Sequence, residues 1–435
     1  MRVLFDKIKA KIVQNTYLKN IVILMFGSGI SQLIPFLMSV VLARLYTSEE
    51  FGVFTLFTSI ASFLGVFTTL RYEIPVMLPK KKSDAFHLVI LSLGISLIVS
   101  IIVFLATIIA PYVISGPLFS KNLDSWVFLL GVSIFLTSIF KTLSVWFNRQ
   151  KHYKTISSNA IVQSSTTAIV NVSNGFAGYT SGGLIIGSIS GQFVSALRYS
   201  YLFIKEGKAL FRRISWARIK KVAHVYREYP KYSLPHSLID MISITGLPLL
   251  IAYLFSEAVL GWYGLMLRAL KAPLGILAAS LGQVYFQQFS LEVANKRSIK
   301  SLFEKTVLRV AFIILPFFIL ILIWGPEIFS IVFGEKWRQA GIYAQYLTPW
   351  LFMSSITSPV SQTPLTLGYV KINMFLGLFS NTLIVSIFLI SSYFSNNVEF
   401  VFLNIGIIMP VYFLFLLLWY FRIIKNYEKS LLNNK

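Results

Sequence analysis

The sequence predicts an all-α integral membrane protein, with 12 transmembrane helices in two pseudo-symmetric six-helix lobes around a central cavity. Three observations carry this expectation. Twelve mostly apolar stretches lie near 20–45, 51–70, 85–110, 126–147, 156–175, 182–204, 233–255, 259–288, 303–324, 341–367, 372–393 and 400–421. Each is about 20 residues or longer, enough to cross a hydrocarbon core of ~30 Å at ~1.5 Å per residue. Basic residues then alternate from loop to loop: of 39 Lys and Arg, 29 fall in seven alternate loops and tails. The six intervening loops hold only Lys121, Lys336 and Arg338. The positive-inside rule therefore places both termini in the cytoplasm of a multi-pass protein of the cell inner membrane. Third, Leu42-Ala43-Arg44-Leu45-Tyr46 and Gly52 match Ile251-Ala252-Tyr253-Leu254-Phe255 and Gly261 at a constant offset of 209 residues. That offset maps helix 1 onto helix 7 and helix 2 onto helix 8, as parallel repeats of six helices require.

The elements follow in order. Residues 1–19 read as a cytoplasmic amphipathic segment, and the long apolar stretch after it is unlike a signal peptide. Residues 20–204 form the N-terminal lobe. Its first helix carries Ser28, Ser31, Gln32, Pro35 and Ser39, and its fifth carries Ser157, Asn159, Gln163, Thr166, Thr167, Asn171 and Asn174. Such groups either hold helices together or line water. Residues 205–231 form a cytoplasmic basic connector with Phe211, Ile214, Trp216 and Ile219 among its cations, suited to anionic headgroups. Residues 232–424 form the C-terminal lobe and 425–435 a cytoplasmic tail.

Charge inside the spans marks the candidate site. In helix 8, Arg268 lies ~15 Å from the outer end and Lys271 close to the midplane. An ionised side chain there costs at least ~2.5–3.5 kcal/mol, so both cations are expected to face water or a partner. Asp240 in helix 7 is an acid well inside a span, at a depth suited to Lys271 or Arg309. It is read either as a structural ion pair or as a protonatable switch.

Several classes are excluded. The formal net charge of +23 would suggest nucleic acid in a soluble chain, but here it is a topology signal, and 56% of residues are hydrophobic. There is no cysteine, the four histidines form no metal-ligand spacing, and no phosphate-binding P-loop occurs. With 16 acidic residues, no DxD motif and short outer loops, an enzyme is not expected, and neither is a cofactor or a metal.

At this point a family resemblance enters. Leu70-Arg71-Tyr72-Glu73-Ile74-Pro75-Val76-Met77-Leu78-Pro79-Lys80 resembles the signature of polysaccharide flippases of the O-antigen type, within the multidrug/oligosaccharidyl-lipid/polysaccharide exporter superfamily. Tyr229-Pro230-Lys231-Tyr232-Ser233-Leu234-Pro235 is similar to that family's opening to its second half. Gly261-Trp262-Tyr263 through Arg268 to Pro273-Leu274, then Gly282-Gln283-Val284-Tyr285-Phe286-Gln287, matches two further segments. The resemblance covers the whole chain. It implies a flippase that moves undecaprenyl-pyrophosphate-linked oligosaccharide repeat units from the cytoplasmic to the outer leaflet by alternating access, for a cell-surface polysaccharide such as O-antigen lipopolysaccharide or capsule. It carries over Arg71, Glu73 and Arg268 as family positions. The substrate-binding cations are then Arg268, Lys271 and Arg71, with Asp240, Glu73 and Arg309 as candidates for coupling or ion pairing. Arg71 and Glu73 are read as a structural brace or as substrate contacts. The expected partners are the lipid-linked oligosaccharide, membrane lipids, a polysaccharide polymerase and a chain-length regulator. The alternatives are a gradient-coupled multidrug and toxin extrusion exporter, a lipid II flippase, and a scaffold that positions a polymerase.

Overall fold

The computed structural model describes residues 16–113 and 126–433. The amphipathic segment expected over 1–19 and the outer loop around Lys121 therefore lie mostly outside the described residues. The rest is helical, with no strand among the described residues. The helices of ten or more residues are α1 (Thr16–Leu45), α2 (Ser48–Leu64), α3 (Lys82–Val113), α4 (Leu129–Arg149), α5 (Tyr153–Phe176), α6 (Ser181–Phe211), α7 (Trp216–Val225), α8 (Leu234–Leu254), α9 (Glu257–Ala294), α10 (Lys300–Phe333), α11 (Arg338–Thr357), α12 (Val370–Phe394) and α13 (Val398–Asn433). Among the described residues five helices are long and apolar enough to cross a membrane, and a sixth is if the bent pair Tyr229–Ile242 and Ile244–Leu254 is one span.

Residues up to Tyr253 form one compact unit and those from Leu254 a second. The boundary between the two units falls at the last residue of α8.

In the first unit α5 packs on α1 and α6, and α3 packs on α4. Three polar side chains of α5 join neighbours. Ser164 donates to the Ser31 carbonyl (2.8 Å), Asn159 to Ser195 Oγ (2.7 Å) and Asn174 to the Gly183 carbonyl (3.0 Å). Of the groups named on this helix, Asn159 and Asn174 thus hold helices together. At the opposite end of α6 an aromatic core forms. Phe86 stacks on Phe203 with centroids 5.2 Å apart, and Phe211 and Trp146 meet the pair edge-on. The short helix α7 closes this core with Val222, while Tyr72 donates to the Ala223 carbonyl (3.1 Å). The apolar residues of the connector are therefore divided. Phe211 and Ile219 pack inward, and Ile214 and Trp216 stay exposed.

Two helices end or bend away from their expected positions. The second stretch was expected to run to residue 70, but α2 stops at Leu64, where the Gly65 amide closes the last turn on the Ala61 carbonyl (2.8 Å). The tenth, expected over 341–367, breaks after Thr357 because Pro359 and Pro364 each open a new short turn. The loop expected over 325–340 is largely helical, since α10 continues to Phe333 through a kink at Trp324 (φ −120°, ψ 22°). Pro326 causes the kink, because it has no N–H for the Leu322 carbonyl one turn back. Gln345 from α11 supplies the missing donor to that carbonyl at 2.9 Å.

The tail is also tied down. Glu428 near the end of α13 accepts from Ser298 Oγ (2.9 Å) and from the Ile299 and Lys300 amides (2.8 and 3.1 Å). A carboxylate thereby satisfies free donors at the positive end of α10.

Close helix contact sets one stability prediction. A Cβ on Gly406 would stand 1.9 Å from the Tyr346 carbonyl oxygen, a backbone atom that cannot swing aside. Gly406→Ala should push α13 off α11 and cost about 1–3 kcal/mol. The thermal midpoint of detergent-purified protein should fall accordingly; an unchanged midpoint would mean that the two helices separate without cost.

Candidate substrate and coupling site

The signature segment leaves α2 as a run of tight turns. Leu70 (φ 47°) and Arg71 (φ 65°) are both left-handed, a conformation that costs a residue with a Cβ about 1–2 kcal/mol. Such a pair persists only where neighbouring contacts over-determine it. Those contacts centre on Glu73, which is 7% exposed. One of its carboxylate oxygens accepts from the Thr69 hydroxyl, and the other meets Arg71 Nη1 at 3.4 Å. Arg71 Nη2 donates to Ser237 Oγ at the start of α8, and Ser237 donates onward to the Ser233 carbonyl (2.8 Å). Arg71 Nε is buried without a partner.

Helix α4 frames the other side. Arg149 at its end donates to the Met77 carbonyl (2.7 Å) and to those of Val76 and Pro79, holding the turn that follows Glu73. Two turns earlier, Lys141 lies within electrostatic reach of both Glu73 and Arg71. The cluster therefore holds two cations against one buried carboxylate, an excess of positive charge beside an unused guanidinium donor.

The remaining expected residues are distributed as follows. Arg268 and Lys271 lie on α9, 11 and 14 residues after its first residue, about 17 and 21 Å along it. Their spacing of three puts them on one face, with Arg268 half-buried and Lys271 exposed. Arg309 is exposed on α10. These three belong to the second unit, while Arg71, Glu73 and Asp240 belong to the first. Asp240 has a neighbour on its own helix. Its carboxylate lies 3.2 Å from His236 Nδ1, one turn earlier on α8. An i,i+4 neighbour reaches it without tertiary packing. Both side chains are 60% exposed, so the pair is not part of the packed core. Asp240→Asn should accumulate in the membrane at the wild-type level; a marked loss of protein would show that the contact is structural.

Sequence reasoning passed over Lys141, Ser237 and Arg198. Lys141 and Arg198 were detectable as cations within apolar stretches. Arg198 donates from Nη2 to Ser158 Oγ (2.8 Å) across α5 and α6, and its Nη1 is buried without a partner. Ser237 has no signal of its own. Among the described residues no group of three His, Asp or Glu could hold a metal.

The family model described as polysaccharide biosynthesis protein matches residues 41–341. The chain belongs to that family. Its match includes the Arg71–Glu73 loop, Lys141, Ser237 and the α9 cations. No curated protein matches the chain. Among solved structures it is similar to the lipid II flippase MurJ in an inward closed conformation, with TM-score 0.71 and 15% identity over 94% of this chain and 92% of that one. An inward-facing multidrug resistance MATE family transporter of the MOP superfamily aligns with TM-score 0.63 and 13% identity, over 92% and 96% of the two chains. A MOP superfamily transporter from Pyrococcus furiosus, described as having a binding pocket of reversed polarity, aligns with TM-score 0.53 and 13% identity over 94% and 95%. This member of the polysaccharide biosynthesis family is thus a helical multi-pass membrane protein with the fold of these MOP superfamily transporters.

Proposed function

We propose that the protein moves undecaprenyl-pyrophosphate-linked oligosaccharide units from the cytoplasmic to the outer leaflet of the cell inner membrane, through 12 spans with both termini cytoplasmic. The observation that carries this reading is the cation excess around Glu73. Arg71 is paired with the buried Glu73 and Lys141 lies within electrostatic reach of both, so a diphosphate arriving there meets an excess of positive charge. Charge-assisted contacts to phosphate are about twice as strong as neutral ones. Arg268 and Lys271 on α9 are assigned, in this reading, to the anionic groups of the same substrate. The glycan would be a lipopolysaccharide O-antigen, a capsule or another surface polymer, with a polymerase and a chain-length regulator consuming the product.

The test is reconstitution in vesicles with a fluorescent lipid-linked oligosaccharide, scoring accessibility of the sugar in the outer leaflet. Protein-dependent exchange of the glycolipid, without exchange of a phosphatidylcholine analogue, is the expected result. Equal exchange of both would indicate a non-selective scramblase. Exchange of neither, in vesicles holding folded protein, would refute the proposal.

A further inference from the structure

We propose that Ser237 is a positioning residue for Arg71, and that their contact is a releasable tether on helix α8 which a diphosphate opens. The inference rests on the flippase reading, in which Arg71 meets the substrate phosphates, and extends it to how that meeting moves the protein.

Three observations converge. The contact joins distant parts of the chain, because Arg71 and Ser237 are 166 residues apart and one leads from α2 while the other begins α8. Ser237 is buried, whereas His236, Ile239 and Asp240 around it are exposed. Helix α8 is also irregular on both sides of the contact. Tyr229–Ser233 forms a π-helical turn just before it, and the segments Tyr229–Ile242 and Ile244–Leu254 meet at 46°. Wide turns of this kind mark places where a helix readily changes its path.

The chemistry at Arg71 makes the tether breakable. A guanidinium offers five N–H donors in a plane, and a phosphate accepts two of them side by side. Ser237 Oγ is a neutral acceptor that also serves the Ser233 carbonyl, so it is the weakest holder of Arg71 in the cluster. Glu73, by contrast, is buried, charged and braced by Thr69. A phosphate that engages Nε and one terminal nitrogen displaces Ser237 and leaves the Glu73 contact in place. The left-handed pair Leu70–Arg71 is held by these same contacts, so its strain favours release once one of them is lost. The start of α8 then becomes free to shift.

The chain has no cysteine, so a single introduced thiol reports on the tether. Ser237→Cys in inside-out membrane vesicles is treated with a membrane-impermeant maleimide. Labelling is expected to be slow while Arg71 is present and at least ~10-fold faster in the Arg71→Gln, Ser237→Cys double variant. Millimolar pyrophosphate should accelerate the Arg71-containing protein similarly, and sulfate at equal ionic strength should not. Leu238→Cys, with Ser237 intact or changed to Ala, provides a second probe should Ser237→Cys fail to accumulate, and Ser237→Ala should then raise its labelling. A rate independent of Arg71 overturns the tether. A rate raised by Arg71→Gln but not by pyrophosphate, or raised equally by sulfate, overturns release by diphosphate. Glycolipid exchange by Arg71→Gln is scored separately. Undiminished exchange would defeat the role of Arg71 in transport, while the thiol rates would still decide the tether.

Discussion

Replacing Glu73 by glutamine is expected to be the most damaging single change in the first unit. The carboxylate is buried and is shared by the Thr69 hydroxyl and the Arg71 guanidinium, with Lys141 close by. Glutamine keeps the volume but removes the charge that makes two neighbouring cations tolerable. Removing one partner of a fully buried pair costs ~3–5 kcal/mol. The Arg71 side chain is 30% exposed, so about 2–4 kcal/mol is the better figure here after allowing for solvent screening. Loss on that scale is a large share of the stability of most domains. The amount of folded protein in the membrane and its thermal midpoint should both drop. Adding Lys141→Ala should recover part of the loss, because it removes one of the uncompensated charges, and the double-mutant cycle measures their coupling. A Glu73→Gln protein as stable and active as the wild type would show that the loop needs no counter-charge.

The double variant Arg268→Ala, Lys271→Ala should have the opposite signature, with function lost and folding retained. A hydrogen bond to a charged group contributes ~1.5–3 kcal/mol, so losing one such contact should slow glycolipid exchange by roughly 10–100-fold. Folding should not suffer, since an ionised side chain within a span costs at least ~2.5–3.5 kcal/mol that alanine does not. Arg268→Lys should keep part of the activity, because charge survives while the planar fork does not. The measurement is vesicle exchange normalised to folded protein. Full exchange by the double alanine variant would remove these residues from the substrate path. Parallel loss of exchange and of protein would assign them to structural pairing.

The class of molecule was legible in the sequence. Long apolar stretches leave the backbone only the helix as a way to satisfy its hydrogen bonds in lipid, so hydrophobicity alone leads to an all-helical membrane protein. The 70–80 signature likewise located the loop in which Arg71 and Glu73 sit, two residues apart, and their ion pair is a local event. The contact between His236 and Asp240, an i,i+4 pair on one helix, is equally a local event.

Tertiary packing decided the rest. Apolar periodicity could not end α2 at Leu64, because the residues that follow are as apolar as those before and only the turn geometry and the buried Glu73 separate them. Proline marked α10 for a kink, yet the acceptance of that kink depends on Gln345, a side chain on another helix. Ser237 and Lys141 became part of the Arg71 cluster only through folding, which brings together α2, α4 and α8. Local propensity and hydrophobicity act over a few residues, and so they specify helices and their solvent. Which charges share a buried carboxylate is set by side chains that are close in space and far apart along the chain, and only the folded protein contains that information.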